Sequence, residues 1–297
     1  MSTQELHHSV MLDEVVQALD PQSGNWIVDA TFGRGGHTTA LLAAGAKVIA
    51  FDCDQDAITY GETNFAQEIQ AQKLILIWAN FDQLKMQLQK HADKKISGVF
   101  FDFGVSSPQL ADQEKGISFQ GDGPLDMRFD TRLGVQAKDL LAILPENQLA
   151  DLFLQQGGET FNKQIAKAIV RARAQKPLET VQELVEVISQ VKQRRGEYLH
   201  PATKVFQALR MAVNSELQVI ETALPQALEL LEPGGQLVTI AFHEGEDRIV
   251  KQFFRAWEKQ GKGIDHTHQV ITPTDLEVAS YPRSRSAKLR HFQKKDL

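Results

Sequence analysis

Three aspartates close short apolar runs in the first third of the chain: Asp29 ends "NWIVD", Asp52 ends "KVIAFD" and Asp102 ends "SGVFFD". After the first comes "DATFGRGGHT", with glycines at 33, 35 and 36. Glycine accepts positive φ and lets backbone approach a ligand closely. Such a turn is a phosphate cradle, the turn of another cofactor, or a plain joint between strand and helix. The dinucleotide pattern G-x-G-x-x-G is not met, because Thr38 stands where its third glycine belongs. Asp52 follows Gly33 by 19 residues, close to the spacing of about 20 that places a carboxylate on a ribose. Three carboxylates at one edge would repel a pyrophosphate. They suit a ligand with a ribose, an ammonium group and a cationic sulfur, which describes S-adenosylmethionine. Phe81, just past the third apolar run, is placed either to cover an adenine or to fill the core. Asp29 either holds the methionine amine or caps its strand.

These residues need elements that bring them together. "NWIVDAT", "KVIAFD", "KLILIWA" and "SGVFFDFG" read as buried strands. They alternate with helical stretches at "TTALLAAGA", 54–70 and 82–91, a pattern of parallel strands joined by crossovers. From Ala111 to about Thr222 only helical periodicity is found. "GGQLVTIAFH" resumes the strand pattern, "EDRIVKQFFRAWEKQ" is helical, and "HQVITP" and "SAKLRHF" read as the last strands. The expected fold class is α/β: a Rossmann-like doubly wound sheet with an inserted all-helical subdomain. Residues 1–110 and 219–297 make the α/β domain with the glycine turn and the three aspartates, and 111–218 the inserted helical subdomain. Open sheets of this kind bind ligands at the carboxyl ends of their strands, so the three aspartates should share a crevice.

The chain has 297 residues, a net charge of -6, 42% hydrophobic residues and one cysteine. Cys53 alone allows no internal disulfide and no cysteine-based zinc site, and it reads as a small semi-buried residue. No stretch is apolar enough to cross a bilayer, and the polar start is unlike a secretory signal. A cytoplasmic protein is expected, or one of an organellar stroma or matrix if the source is a eukaryote. The adjacent His7 and His8 form too short a run for a metal site, and no metal is expected. His243 reads as a structural histidine more readily than a catalytic one.

Local charge departs from the acidic average. Residues 162–176 carry Lys163, Lys167, Arg171, Arg173 and Lys176 with no acid. Residues 280–297 carry Arg283, Arg285, Lys288, Arg290, Lys294 and Lys295 against Asp296 alone. Basic patches on an acidic body point to an anionic partner met at particular places, or to solvated faces.

The long polar loop after Asp102, "FGVSSPQLADQEKGISFQGDGPLDMRFD", is loop chemistry at the expected ligand edge, and a functional role is expected of it. Here the chain resembles the bacterial and organellar small-subunit (16S) rRNA cytosine-N4 methyltransferases, which modify a cytidine of the decoding region. The motifs are "HHSVMLDEVV", "DATFGRGGHT", "FDFGVSSPQL", "GISFQGDGPLDMRFD", "IAKAIVRAR", "HPATKVFQALRMAVNSEL", "FHEGEDRIVK" and "PRSRSAKLR", in order along nearly the whole chain. The resemblance implies S-adenosylmethionine as cofactor. By it Gly35, Gly36 and His37, with Asp52, Phe81, Asp102 and Gln109, bind that cofactor, and Gly33 belongs to the same turn. It also implies a class I methyltransferase sheet in a cofactor-binding catalytic domain, 1–110 with 219–297, and a helical substrate-recognition subdomain, 111–218, that helps to hold RNA, with small-subunit rRNA or the assembled subunit as partner. Departures from the family pattern stand at Thr160, Glu244 and Gly245.

The exocyclic amine of cytosine has its lone pair drawn into the ring, so methylating it requires an acceptor for its N–H hydrogens. The segment Ser107-Pro108-Gln109 only half matches the Asp/Asn/Ser-Pro-Pro-aromatic loop that many amino-methyltransferases use. The loop from Gly104 to Gln109, through backbone carbonyls, Ser106 or Ser107, is the expected acceptor, or alternatively Asp102. For RNA, Lys163, Lys167 and Arg171 share one helix face, with Phe161, Ile165, Ala168 and Ile169 opposite. Arg283, Arg285, Lys288 and Arg290 form the second expected contact with phosphate.

Overall fold

A computed structural model of the chain describes residues 9–192 and 200–296. His7 and His8 lie outside the described residues. Two compact units are present: one runs up to Gly104 and resumes at Leu217, and the other is Val105–Glu216.

The first unit is built on seven strands, β1 (Trp26–Asp29), β2 (Lys47–Asp52), β3 (Leu74–Trp78), β4 (Ile96–Asp102), β5 (Leu231–Ala241), β6 (Gly263–Asp265) and β7 (Lys288–Lys294). Their order in the sheet is β3-β2-β1-β4-β5-β7-β6. The pairs β1–β2, β1–β4, β2–β3 and β4–β5 are parallel, while β7 is antiparallel to both β5 and β6. A doubly wound sheet with one reversed strand beside β5 is the class I methyltransferase arrangement.

Near-continuous apolar strands arise because helices cover both faces of a parallel sheet. Val28, Phe51, Phe101 and Leu237 pack on one side with Leu224 and Phe254 from helices Glu216–Leu230 and Glu244–Lys259. Ile27, Val48, Phe100 and Val238 pack on the other with Leu19 and Leu41 from helices Leu12–Leu19 and Gly36–Ala43. Neighbouring residues of one strand thus enter opposite cores, as a period of two requires.

Two expected elements differ. The expected helix 54–70 is Gln55–Asn64 and Ala66–Gln70, broken at Phe65, whose ring packs edge-on against Phe32 at 5.5 Å. No strand forms over "HQVITP"; the edge strand is the earlier Gly263–Asp265. Asp265 Oδ1 accepts the Thr267 N–H and hydroxyl, both at 2.9 Å, which turns the chain off the sheet. Only Ile271 returns, as a single bridge to Leu289.

The second unit contains helices Ala137–Ile143, Glu146–Gln155, Asn162–Arg173, Val181–Val191 and Thr203–Val213. They close on Leu141, Phe153, Ile165, Ile169, Ile188 and Leu209. Thr180 opens Val181–Val191 with a capping box: its hydroxyl accepts the Glu183 N–H and Glu183 accepts the Thr180 N–H at 3.1 Å. The "DMRF" stretch, expected to be functional, is fastened internally. Asp126 takes the Arg128 guanidinium at 2.6 Å and 2.8 Å. Asn214 accepts the Phe129 N–H and donates to the Met127 carbonyl, both at 2.8 Å. Met127 itself is buried with φ +64. These contacts close the loop on itself.

Candidate active site

Parallel pairing puts Asp29, Asp52 and Asp102 at the carboxyl ends of adjacent strands, in register with Ala50, Trp78 and Ile240 respectively. Their side chains do different work. Asp29 is buried; its Oδ1 accepts the Thr31 N–H at 3.1 Å and its Oδ2 accepts the Thr38 hydroxyl at 2.7 Å. It ties the end of β1 to helix Gly36–Ala43, as the capping alternative expects, and lone pairs remain on both oxygens. Burial pushes its carboxyl up to about 6.

Asp52 clips the glycine turn to β2: Oδ2 accepts the Gly33 N–H and Oδ1 the Asp54 N–H, both at 2.8 Å. Burial pushes it up to about 6 as well, with the neighbouring Asp54 and Asp29 adding to the rise. Each oxygen accepts one bond here, and a carboxylate offers about four lone-pair sites, so capacity remains for ribose hydroxyls.

The glycines divide by role. Gly33 has φ +54, and a Cβ there would face open space, which leaves room for a ligand. Gly35, at φ +74, is required by packing: a Cβ would lie 2.5 Å from the Phe65 ring and 2.8 Å from Phe32. At Gly36 a Cβ would lie 1.8 Å from Ser9 Oγ. The helix begins its hydrogen-bond ladder with Thr39 N–H to Gly35 O at 2.8 Å, so the amides of Gly36, His37 and Thr38 precede it. The His37 imidazole is turned inward, with Nε2 3.1 Å from the Val10 carbonyl and the ring 4.6 Å from Phe100.

Asp102 is the unsatisfied member. Its Oδ1 is buried without a hydrogen-bond partner, while its N–H donates to Thr31 Oγ1 at 2.7 Å. Desolvation first, then Asp29 and Glu246, raise its carboxyl well above the usual range. An orphaned buried acceptor of this kind costs about 1–3 kcal/mol and calls for a donor. Phe81 is half-buried after β3, edge-on to Phe101 at 5.4 Å and tilted on Phe103 at 6.0 Å. On either side of it, Asn80 Oδ1 and Asp82 Oδ1 are also buried acceptors without partners. Sequence reading missed both; the signal was their position flanking the aromatic after the third strand.

His243 caps helix Glu244–Lys259, its Nδ1 accepting the Gly245 N–H at 3.0 Å, with Nε2 3.0 Å from Glu246. Glu246 is buried and accepts the Phe242 N–H at 2.8 Å. The departures fit this cap. A Cβ on Gly245 would come within 2.9 Å of the His243 ring, so glycine makes room for it. Glu244 and Thr160 are exposed.

In the second unit, Ser106 is the N-cap of the short helix Ser107–Ala111, with Pro108 in its first turn. Ser106 Oγ accepts the Gln109 N–H at 3.4 Å, and Gln109 Oε1 accepts the Ser106 N–H at 3.1 Å. The Ser106 hydroxyl oxygen and the Gln109 carbonyl oxygen, expected on amine and cofactor, each accept the other residue's backbone N–H.

Lys163, Lys167 and Arg171 are exposed along helix Asn162–Arg173 and form no ion pair among the described residues. Arg173 is spent on the Leu141 carbonyl and Lys176 on Glu183. Arg283 and Arg285 are exposed, and Lys288 lies 3.8 Å from Asp247. Arg290 is a correction to the expected RNA patch. It is buried, with Nε 2.7 Å and Nη2 3.3 Å from the Asp247 carboxylate and Nη1 donating to the Thr267 carbonyl at 3.1 Å. It sits on the same face of β7 as the buried Phe292, turned toward helix Glu244–Lys259.

Residues 4–295 match the MraW methylase family. The chain belongs to that family. It is 40% identical over 290 residues to the ribosomal RNA small subunit methyltransferase H of Coprothermobacter proteolyticus, covering 97% of this chain and 96% of that one. The protein of the same name from Caulobacter vibrioides is 42% identical, with 96% and 94% covered. Among solved structures, an rRNA methylase from Streptococcus thermophilus aligns with a TM-score of 0.45 and 13% identity over 96% of this chain and 94% of that one. No helix among the described residues is long and apolar enough to cross a membrane.

Proposed function

We propose that this member of the family transfers the methyl group of S-adenosylmethionine to the N4 amine of a cytidine in small-subunit rRNA, in the cytoplasm. The observation that carries the reading is identity of about 40% with rRNA small-subunit methyltransferases over nearly the full length of both chains. The site is chemically suited to the cofactor. Raised, desolvated carboxyls at Asp52 and Asp102 favour a ligand that brings positive charge and donors. Asp52 is suited to the ribose, the early amides of helix Gly36–Ala43 to the methionine carboxylate, and Phe81 with Asn80 and Asp82 to the adenine.

When bound, S-adenosylmethionine supplies an electrophilic methyl group on a cationic sulfur. The chain's contribution is to position the amine and receive its proton. Asp102 is the stronger candidate for the proton, because a carboxyl raised by burial is a better base than an ordinary one. Ser107 orients the amine from the loop that follows β4. The helical unit, with Lys163, Lys167 and Arg171, and the exposed Arg283 and Arg285 hold phosphates and so fix the RNA register.

The test incubates the chain and labelled cofactor with unmethylated small subunits and, separately, with naked rRNA, then identifies the labelled nucleoside by mass spectrometry. N4-methylcytidine from either substrate is the expected product, and the difference between the two identifies the physiological partner. Cofactor binding with label in no nucleoside would overturn the reading in favour of a non-catalytic RNA-binding factor.

A further inference from the structure

The first four strands start at the edge of the sheet opposite to the three aspartates, and lysines gather there. β1 opens on Trp26, β2 on Lys47, β3 directly after Lys73, and β4 directly after Lys94 and Lys95. Register sets them side by side: Trp26 pairs with Lys47, and the Val48 N–H donates to the Lys73 carbonyl at 2.8 Å. Trp26, Lys47 and Lys73 also share one face of the sheet, because Val28, Ile49 and Ile75, each two residues further on, belong to one core. Lys47 Nζ lies 5.4 Å and Lys94 Nζ 5.3 Å from the centre of the Trp26 ring.

Like charges that face each other across neighbouring strands repel. Lys94 is answered by Asp93 at 3.1 Å. Lys47, half-buried, and Lys73, exposed, form no ion pair among the described residues. In a chain with 38 acidic residues against 32 basic ones, cations left unanswered at one edge call for an anion from outside. Trp26 helps to hold them ready, since an aromatic face attracts ammonium groups. The row crosses four strands, about 14 Å, which suits a chain of phosphates better than a single one. Five residues of β2 separate Lys47 from Asp52, a distance of about 16 Å. Phosphates bound here therefore belong to a different segment from the one that presents its base to the aspartates.

We infer that this lysine edge, with Lys47 and Lys73 beside Trp26 and Lys94, is a docking surface for the phosphate backbone of the RNA substrate. This rests on the rRNA methyltransferase reading. Phosphate contacts fix position and read no sequence, so the edge holds the substrate and takes no part in the chemical step.

The experiment measures binding of the full chain to unmethylated, protein-free small-subunit rRNA across a salt series, with methylation kinetics and cofactor calorimetry alongside. Lys47→Gln combined with Lys73→Gln should lower the slope of log K against log salt by roughly one and a half to two. KM for the RNA should rise, while kcat at saturating RNA and the Kd for cofactor hold. The melting temperature should stay level or rise, because two opposed charges are gone. Arg255→Gln combined with Lys259→Gln makes the same change of charge at exposed positions of helix Glu244–Lys259 and should leave the slope alone. A slope in the lysine variant equal to that of the unaltered chain overturns the surface, and so does an equal fall in the control pair. Weaker binding to assembled small subunits with unchanged binding to protein-free rRNA would put an acidic protein on this edge and overturn the RNA assignment. If the unaltered chain methylates no nucleoside while the lysine variant still loses its slope, the surface stands and the functional reading falls.

Discussion

Replacing Arg290 separates a structural cation from an RNA contact. Arg290 and Asp247 are 5% and 7% exposed and share two hydrogen bonds. Removing one partner of a buried pair typically costs about 3–5 kcal/mol, because the other charge is left desolvated. Lys288, 3.8 Å from Asp247, remains as a weaker countercharge and places Arg290→Met at the lower end of that range. The Thr267 carbonyl also loses its donor, which adds about 1 kcal/mol. A net loss of about 4 kcal/mol lowers the melting temperature by roughly 6 °C in a chain of this size. Thermal unfolding followed by circular dichroism reads this directly. The double variant Asp247→Leu with Arg290→Met removes both charges and should recover most of the loss. An RNA contact behaves oppositely: Arg290→Met would leave the melting temperature alone and reduce the salt slope of RNA binding by about one. That pair of results would refute the buried-pair argument.

Cofactor affinity should fall as pH is lowered through about 6, because Asp52 and Asp29 take up protons there and cease to attract a cationic ligand; calorimetry giving a constant Kd between pH 5 and 8 would contradict this. For the ligand-free chain the sign reverses. Both carboxyls hold protons more tightly folded than unfolded, so their contribution to stability is present at low pH and is lost as pH rises through about 6, which acid-range melting curves can check. Gly245→Ala should force the His243 ring off its cap, since the new Cβ would meet it at 2.9 Å; a loss of about 1 kcal/mol is expected, and an unchanged melting temperature would show that the ring yields freely. Ser107→Ala should lower turnover on rRNA while leaving cofactor affinity near that of the unaltered chain, and lost cofactor binding would reassign the loop.

The sheet was legible because β1, β2 and β4 are apolar runs that end in aspartate, and a ligand edge follows from parallel strands alone. What each aspartate does was not legible. Asp29 and Asp102 end their strands alike, yet Thr38 and the Thr31 amide satisfy one while the other keeps a bare oxygen. Arg290 read as one of a basic run because its partner lies 43 positions earlier in the chain. Phe161 fits helical periodicity, but at an N-cap the ring leaves before the helix has turned it inward. Ser106 and Gln109 stand three apart with a helix start between them, a capping-box spacing that was open to reading from sequence. The strand at Gly263–Asp265 escaped notice because three residues, one of them glycine, carry too little pattern.

The pairing of β4 with β5 has a consequence for how the chain is made. β4 ends at Asp102 and its parallel neighbour begins at Leu231. At 5–20 residues per second, translation leaves β4 without that neighbour for roughly 6–25 seconds. During that interval a strand carrying Phe100 and Phe101 has an open edge, the kind of surface that invites pairing with the wrong chain. The helical unit is synthesised within the same interval and contains its own core. It can therefore fold first, while the unit that carries Asp29, Asp52 and Asp102 waits for its last strands.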